Sequence, residues 1–208
     1  MSLTELGTSF GTDKVKHRYT QLYENYLGHL KDKPVTLMEI GVYQGCSLKM
    51  WEAYFTQGLV YGIDNCTLIT ADQMKNLSKG RIRTIIADQL KRDQLQKVVD
   101  EIKEFDIIVD DGLHYQEHQQ ISLGFLFPFL RNGGIYVVED LCPRIYPGGW
   151  GIKDTQNFTD ITTNVLEGFK TLGISSPYMN QNETKYLNEN IKKIEIHKDS
   201  IIAFIWKK

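Results

Sequence analysis

No stretch of the sequence approaches the ~18 consecutive apolar residues that a membrane-spanning helix needs. The opening, MSLTELGTSFGTDK, has no apolar core of the kind that marks a secretory leader. The chain is therefore expected to be cytoplasmic, with no membrane partner. Charge of one sign is missing too. Lys and Arg number 24 against 26 Asp and Glu, for a net charge of -2, so no overall basic field exists to attract a nucleic acid. Cysteine is scarce: Cys46, Cys66 and Cys142 form an odd set without Cys-x-x-Cys spacing. That argues against a disulfide framework or a thiolate zinc site and fits reduced thiols. No internal repeat, low-complexity tract or linker interrupts the sequence. Its 208 residues suffice for a single domain, 1–208, with a full layered core.

What is present is an alternation of short apolar runs with longer amphipathic stretches, the pattern of a parallel sheet covered by helices on both faces. The expected strands are VTLMEIG (Val35 to Gly41), LVYGID (Leu59 to Asp64), IRTIIAD (Ile82 to Asp88), FDIIVDD (Phe105 to Asp111) and GIYVVED (Gly134 to Asp140). Four of these five end in Asp, and the first carries Glu39 just before its glycine. Acids at the carboxyl ends of parallel strands collect along one sheet edge, where open α/β sheets bind ligands. SLKMWEAYF, QLKRDQLQKVVDEIK and YQEHQQISLGFLFPFL read as helices, the last stopped near Pro128 and by RNGG (Arg131 to Gly134). RYTQLYENYLGHL (Arg18 to Leu30) is an amphipathic helix outside the alternating core, within an N-terminal helical segment spanning 1–33. The tail, IKKIEIHKDSIIAFIWKK, suggests a closing antiparallel hairpin around HKDS. The least regular part, 142–190, contains YPGGWG and a helix-like TDITTNVLEGFK. It is expected to form a lid, a substrate segment or a homo-oligomer contact.

The loop after the first strand, MEIGVYQGCS, has the form Glu39-x-Gly41-x-x-x-Gly45 and runs into a helix. Gly41 permits a tight turn and close backbone approach, and the helix start offers free amide donors. The dinucleotide fingerprint GxGxxG is absent, because Val42 follows Gly41 and Tyr43 stands where its second glycine belongs. Bulky side chains there suit a ligand without a pyrophosphate. Asp64, about 20 residues beyond the glycine loop, can accept hydrogen bonds from ribose hydroxyls. Asp88 and Gln89 at the third strand's end could meet an adenine amino group. Together they point to an adenosine-type ligand lacking phosphates, for which S-adenosylmethionine (SAM) is the common molecule.

The most chemically dense stretch is VDDGLHYQEH, Val109 to His118. Asp111 ends the fourth strand, and Glu139 with Asp140 ends the fifth. Neighbouring parallel strands lie about 4.8 Å apart, so these three carboxylates can converge on a hard cation, Mg2+ or Mn2+. His114, at the mouth of the same site, can act as general base toward an alcohol. Other readings are open. His114 and His118 could ligate zinc from one helix face, and Glu139-Asp140 could merely cap a helix.

MEIGVYQGCSLKMW, VDDGLHYQEH and GGIYVVEDL, with GTDKVKHRYTQLYE upstream, carry a resemblance that runs from Gly11 to about Leu141. The chain resembles the class I SAM-dependent methyltransferases. Within them it is similar to the metal-dependent macrolide-sugar and rhamnosyl O-methyltransferases of the macrocin and mycinamicin type. This resemblance implies a seven-stranded, Rossmann-like doubly wound α/β sheet whose last strand is antiparallel. It implies SAM held by the Glu39 to Gly45 loop, Asp64 and Asp88, with Thr12 and Lys14 near the site. Mg2+ on Asp111, Glu139 and Asp140 and His114 as base follow in the same way, and Asp110 would face the cofactor or support the loop. The implied reaction is methyl transfer from SAM to a hydroxyl of a sugar, glycan or glycosylated natural product. Leu113 departs from the family's serine, which alters the substrate wall, and the region after Cys142 matches poorly. The cephalosporin-hydroxylase type shares the metal acids. A nicotinamide-dependent oxidoreductase and a non-catalytic SAM-binding protein are the alternative functions.

Overall fold

The computed structural model describes residues 1–141 and 161–208; Cys142 and YPGGWG lie outside the described residues. Seven strands run in the order β3-β2-β1-β4-β5-β7-β6, and the chain divides into two compact units, Met1–Asp88 and Gln89–Lys208.

The first unit contains α1 (Leu3–Phe10), α2 (Tyr19–Leu27), β1 (Thr36–Ile40), α3 (Cys46–Tyr54), β2 (Leu59–Asp64), α4 (Ala71–Leu77) and β3 (Ile82–Ile86). Its strands pair in parallel, with Glu39 opposite Gly62 and Gly62 opposite Thr84. A reciprocal capping box between Ser2 and Glu5 starts α1, satisfying amides that would otherwise lack partners. The N-terminal segment is no satellite. Leu3, Tyr19, Tyr23 and Leu27 are buried with Trp51 and Tyr54, and the Tyr23 ring meets Trp51 edge-on at 4.9 Å. The expected helix over 18–30 is therefore part of the core, as is α1 of the expected helical segment 1–33, and α4 is added without having been expected. Gly62 allows α3 to lie directly on β2: a Cβ there would fall 2.6 Å from Leu48 Cδ1 and 2.8 Å from Val42 Cγ2.

The second unit contains α5 (Arg92–Ile102), β4 (Phe105–Asp110), α6 (Gln116–Leu126), β5 (Leu130–Val138), α7 (Thr162–Gly168), α8 (Gln181–Asn190), β6 (Ile191–His197) and β7 (Ile202–Lys207). β4 and β5 are parallel, while β7 runs antiparallel to both β5 and β6. The tail hairpin and the antiparallel last strand thus stand as expected. RNGG does not serve as a helix stop. The 3-10 turn Phe127–Phe129, containing Pro128, ends α6, because proline cannot continue the helical ladder. RNGG instead lies inside β5 as an irregularity, between the pairs Phe105–Leu130 and Ile107–Ile135. Of the segment expected as a lid, residues 161–190 carry α7 and α8, which pack on α6 and bury Val165, Leu166, Ile174 and Leu187. Among the described residues no helix is long and apolar enough to cross a membrane.

Gly62→Ala should cost about 1–3 kcal/mol, since Leu48 and Val42 are buried and cannot yield without repacking. Urea unfolding of the two proteins measures the difference, and an unchanged midpoint would mean α3 can lift from β2 freely.

Candidate active site

The glycine loop and the strand-end acids of the first unit form one group. Gly41 (φ 91°), Tyr43 (φ 46°) and Gly45 (φ 72°) all adopt left-handed backbone conformations, which bend the chain sharply from β1 into α3. At Gly45 a Cβ would stand 2.6 Å from Leu77, so glycine is required there by space as well as by φ. Asp64 closes the loop. Its Oδ2 accepts the Val42 amide at 2.9 Å and its Oδ1 accepts the Cys66 amide at 2.7 Å. The Gly41 amide donates to the Ile63 carbonyl at 2.8 Å.

Glu39, completely buried on β1, lies 3.1 Å from Lys14 Nζ and accepts the Ser47 hydroxyl at 2.6 Å. Lys14 is itself 1% exposed. A buried carboxylate is costly unless paired, and Lys14 supplies the pairing from the 3-10 turn Asp13–Val15, which Thr12 caps through Lys14 N. Thr12 and Lys14 therefore tie the N-terminal segment to the loop from beneath. Val42 is buried and Tyr43 is 61% exposed. Asp88 lies just past β3, after Ala87, whose amide donates to the Asp64 carbonyl at 3.0 Å.

In the second unit the cluster that forms is Asp111, His114 and Asp140, with one ligand atom from each lying within 4.8 Å of the others. His114 Nε2 stands 3.6 Å from Asp140 Oδ2. His114 Nδ1 is buried and has no hydrogen-bond partner among the described residues. Both His114 (φ 59°) and Asp140 (φ 50°) are held in the left-handed region, which non-glycine residues seldom occupy and which marks sites where surrounding structure imposes the conformation.

Of the three carboxylates expected on the cation, Asp111 and Asp140 come together in this cluster with His114. Glu139, the third, is 1% exposed. The Glu139 amide donates to the Asp110 carbonyl at 3.0 Å. Asp110 and Asp111 differ in burial, the second being partly exposed. Asp110 is fully buried and accepts from Gln89 Nε2 (3.2 Å), Tyr136 OH (3.3 Å), the Gly112 amide (3.4 Å) and Ser122 Oγ. Burial pushes the Asp110 carboxyl above its ordinary range, opposed by the Ser122 and Gln89 hydrogen bonds. The Tyr136 phenol is likewise pushed up, by burial and then by Asp110.

The zinc alternative fails on geometry. His118 lies on α6 whereas His114 precedes that helix, with Tyr115 as its N-cap, so the two histidines do not share a helix face. His118 instead packs beside the Tyr115 ring at 5.4 Å. Sequence reasoning missed the roles of Ser122, Tyr136 and Gln119. Gln119 Nε2 holds the Glu139 carbonyl at 3.0 Å, and the unusual glutamine content of QEHQQ was the available signal.

Carboxylates without a thiolate make a donor set that a hard divalent cation such as Mg2+ or Mn2+ fits, with the imidazole of His114 beside them.

No protein-family model matches the chain. It is 38% identical over 167 residues to the 8-demethyl-8-alpha-L-rhamnosyl tetracenomycin-C 2'-O-methyltransferase of Streptomyces olivaceus, a match covering 76% of this chain and 43% of that protein. It is 33% identical over 174 residues to the mycinamicin VI 2''-O-methyltransferase of Micromonospora griseorubida, covering 79% of this chain and 42% of that one. Among solved structures, the MycE methyltransferase of the mycinamycin biosynthetic pathway, in complex with Mg and S-adenosylhomocysteine (SAH), superposes with a TM-score of 0.81. The identity there is 29%, over 100% of this chain and 55% of that one. The chain thus spans about two fifths of the length of the curated relatives it matches. It has the class I SAM-dependent methyltransferase fold, and its homologues are sugar O-methyltransferases of macrolide and tetracenomycin pathways.

Replacing Lys14 by Met would leave the Glu39 carboxylate buried without its cation. That should cost about 3–5 kcal/mol, and pairing it with Glu39→Leu should recover part of the loss. Urea denaturation of the single and double variants checks both expectations.

Proposed function

We propose that this chain is a Mg2+-dependent O-methyltransferase acting on a sugar hydroxyl of a glycosylated small molecule, with SAM as methyl donor. The observation that carries the reading is the convergence of Asp111, His114 and Asp140 in a chain of this fold. The relatives' names support the acceptor class: they methylate rhamnosyl tetracenomycin and mycinamicin VI, and MycE has a complex with Mg, SAH and mycinamycin VI.

In this reading the Gly41–Gly45 loop, Asp64 and Asp88 receive the donor. Glu39, Lys14 and Thr12 hold the loop's shape from within the core. Asp111, Glu139 and Asp140 would hold the cation. A bound divalent cation supplies Lewis acidity, lowering the pKa of an alcohol at neutral pH. His114 accepts the hydroxyl proton at Nε2, and Asp140 Oδ2, 3.6 Å away, stabilises the imidazolium that results. The acceptor oxygen then forms its bond to the methyl carbon as the carbon–sulfur bond of the sulfonium breaks, leaving SAH. No covalent enzyme intermediate is needed, and the oxygen chemistry requires no redox partner.

His114→Ala should lower kcat by roughly a hundred- to ten-thousand-fold while leaving SAH affinity by calorimetry unchanged; equal loss of both would make the histidine structural. Asp111→Asn should remove the response of activity to added Mg2+ after chelation. Turnover of rhamnosylated or macrolide glycosides, followed by SAH release, tests the acceptor class. Failure across such acceptors, with SAH bound normally, would refute it.

A further inference from the structure

Gln89 follows the strand-end acid Asp88, a position that suggests an adenine contact. Its side chain is engaged elsewhere. The amide nitrogen donates to Asp110 Oδ1 at 3.2 Å, and also lies 3.4 Å from Oδ2 and 3.5 Å from Ser122 Oγ. The amide oxygen accepts the Leu113 backbone N–H at 3.4 Å. Gln89 is 7% exposed. The amide thus bridges a buried anchor, Asp110, to the backbone between Asp111 and His114.

Gly112 shows how closely the two are fitted. A Cβ on Gly112 would fall 2.0 Å from Gln89 Oε1 and 2.9 Å from its Cδ. Its φ lies outside the left-handed region, so the need for glycine comes from the Gln89 amide and not from backbone conformation.

We infer that Gln89 is a positioning residue, which clamps the Gly112–Leu113 backbone so that Asp111 and His114 are presented together. This rests on reading the acids at Asp111 and Asp140 as cation ligands with His114 beside them as base. The clamp explains how His114 is kept in a left-handed conformation one residue beyond Leu113: one end of the turn is fixed by Asp110, and the Gln89 oxygen fixes the middle. Residues that orient ligands from behind typically alter metal affinity by about 10–100-fold when removed.

The inference is tested on the full chain with Gln89→Ala, Gly112→Ala and the double variant. Three readouts are used: Mn2+ affinity by electron paramagnetic resonance, SAH affinity by calorimetry, and amide hydrogen exchange of the peptide spanning 110–115 without metal. Gln89→Ala should weaken Mn2+ binding about tenfold and speed exchange in that peptide, with SAH affinity unchanged. Gly112→Ala, whose new methyl displaces the glutamine amide, should reproduce both effects. The double variant should be no worse than either single one, because each removes the same contact. Circular dichroism confirms that each variant is folded, and Gly112→Ala decides the matter should Gln89→Ala not fold. A loss of SAH affinity with Mn2+ binding and exchange unchanged would overturn the inference and return Gln89 to the adenine. Additive losses in the double variant would overturn it as well. Should the unaltered protein fail to bind Mn2+, the cation reading falls, while the exchange rates still decide whether Gln89 clamps the loop.

Discussion

The buried carboxylate of Asp110 sets the terms for the second unit. A carboxylate removed from water is tolerated only where hydrogen-bond donors replace its solvation. Here the donors come from four places in the chain: Gln89 before α5, Ser122 on α6, Tyr136 on β5 and the Gly112 amide of its own loop. Satisfying that one group therefore draws a helix, a strand and a turn to a common point. The chemistry-bearing loop is the short piece of chain between this anchor and α6, so its shape follows from the anchor. A satisfied buried polar network rigidifies what it touches, and here it touches the turn that leads into His114.

The first unit repeats the logic with different chemistry. Glu39 is also a completely buried acid at the end of a strand, and its partners are a buried Lys14 and Ser47 on α3. It anchors the glycine loop as Asp110 anchors the turn at Gly112 and Leu113. In both units the innermost acid does structural work that makes a neighbouring loop definite. In the second unit the acid next to it, Asp111, is more exposed and stands with His114 and Asp140.

That division was readable in principle. Side chains alternate across a strand, so an acid doublet at a strand end places one member inward and one outward. Asp110-Asp111 and Glu139-Asp140 both do so: the first of each pair is buried, and the second joins His114 in the cluster. Gln89 was legible only as a polar residue beside an acid. Its contact with Leu113 joins residues 24 positions apart, and no local pattern encodes such a pairing.

The strands, the α3, α5 and α6 helices and the tail hairpin follow from the sequence alone, because hydrophobic periodicity records which face of each element is buried. The glycine loop was equally plain, since Gly41 and Gly45 stand where the backbone must turn. The placement of the N-terminal helices in the core, the fate of RNGG and the identity of the third member of the Asp111 cluster were decided by tertiary structure. Each depends on which distant groups come into contact. Volume, hydrogen-bond demand and strand register settle those contacts only when the whole chain is folded.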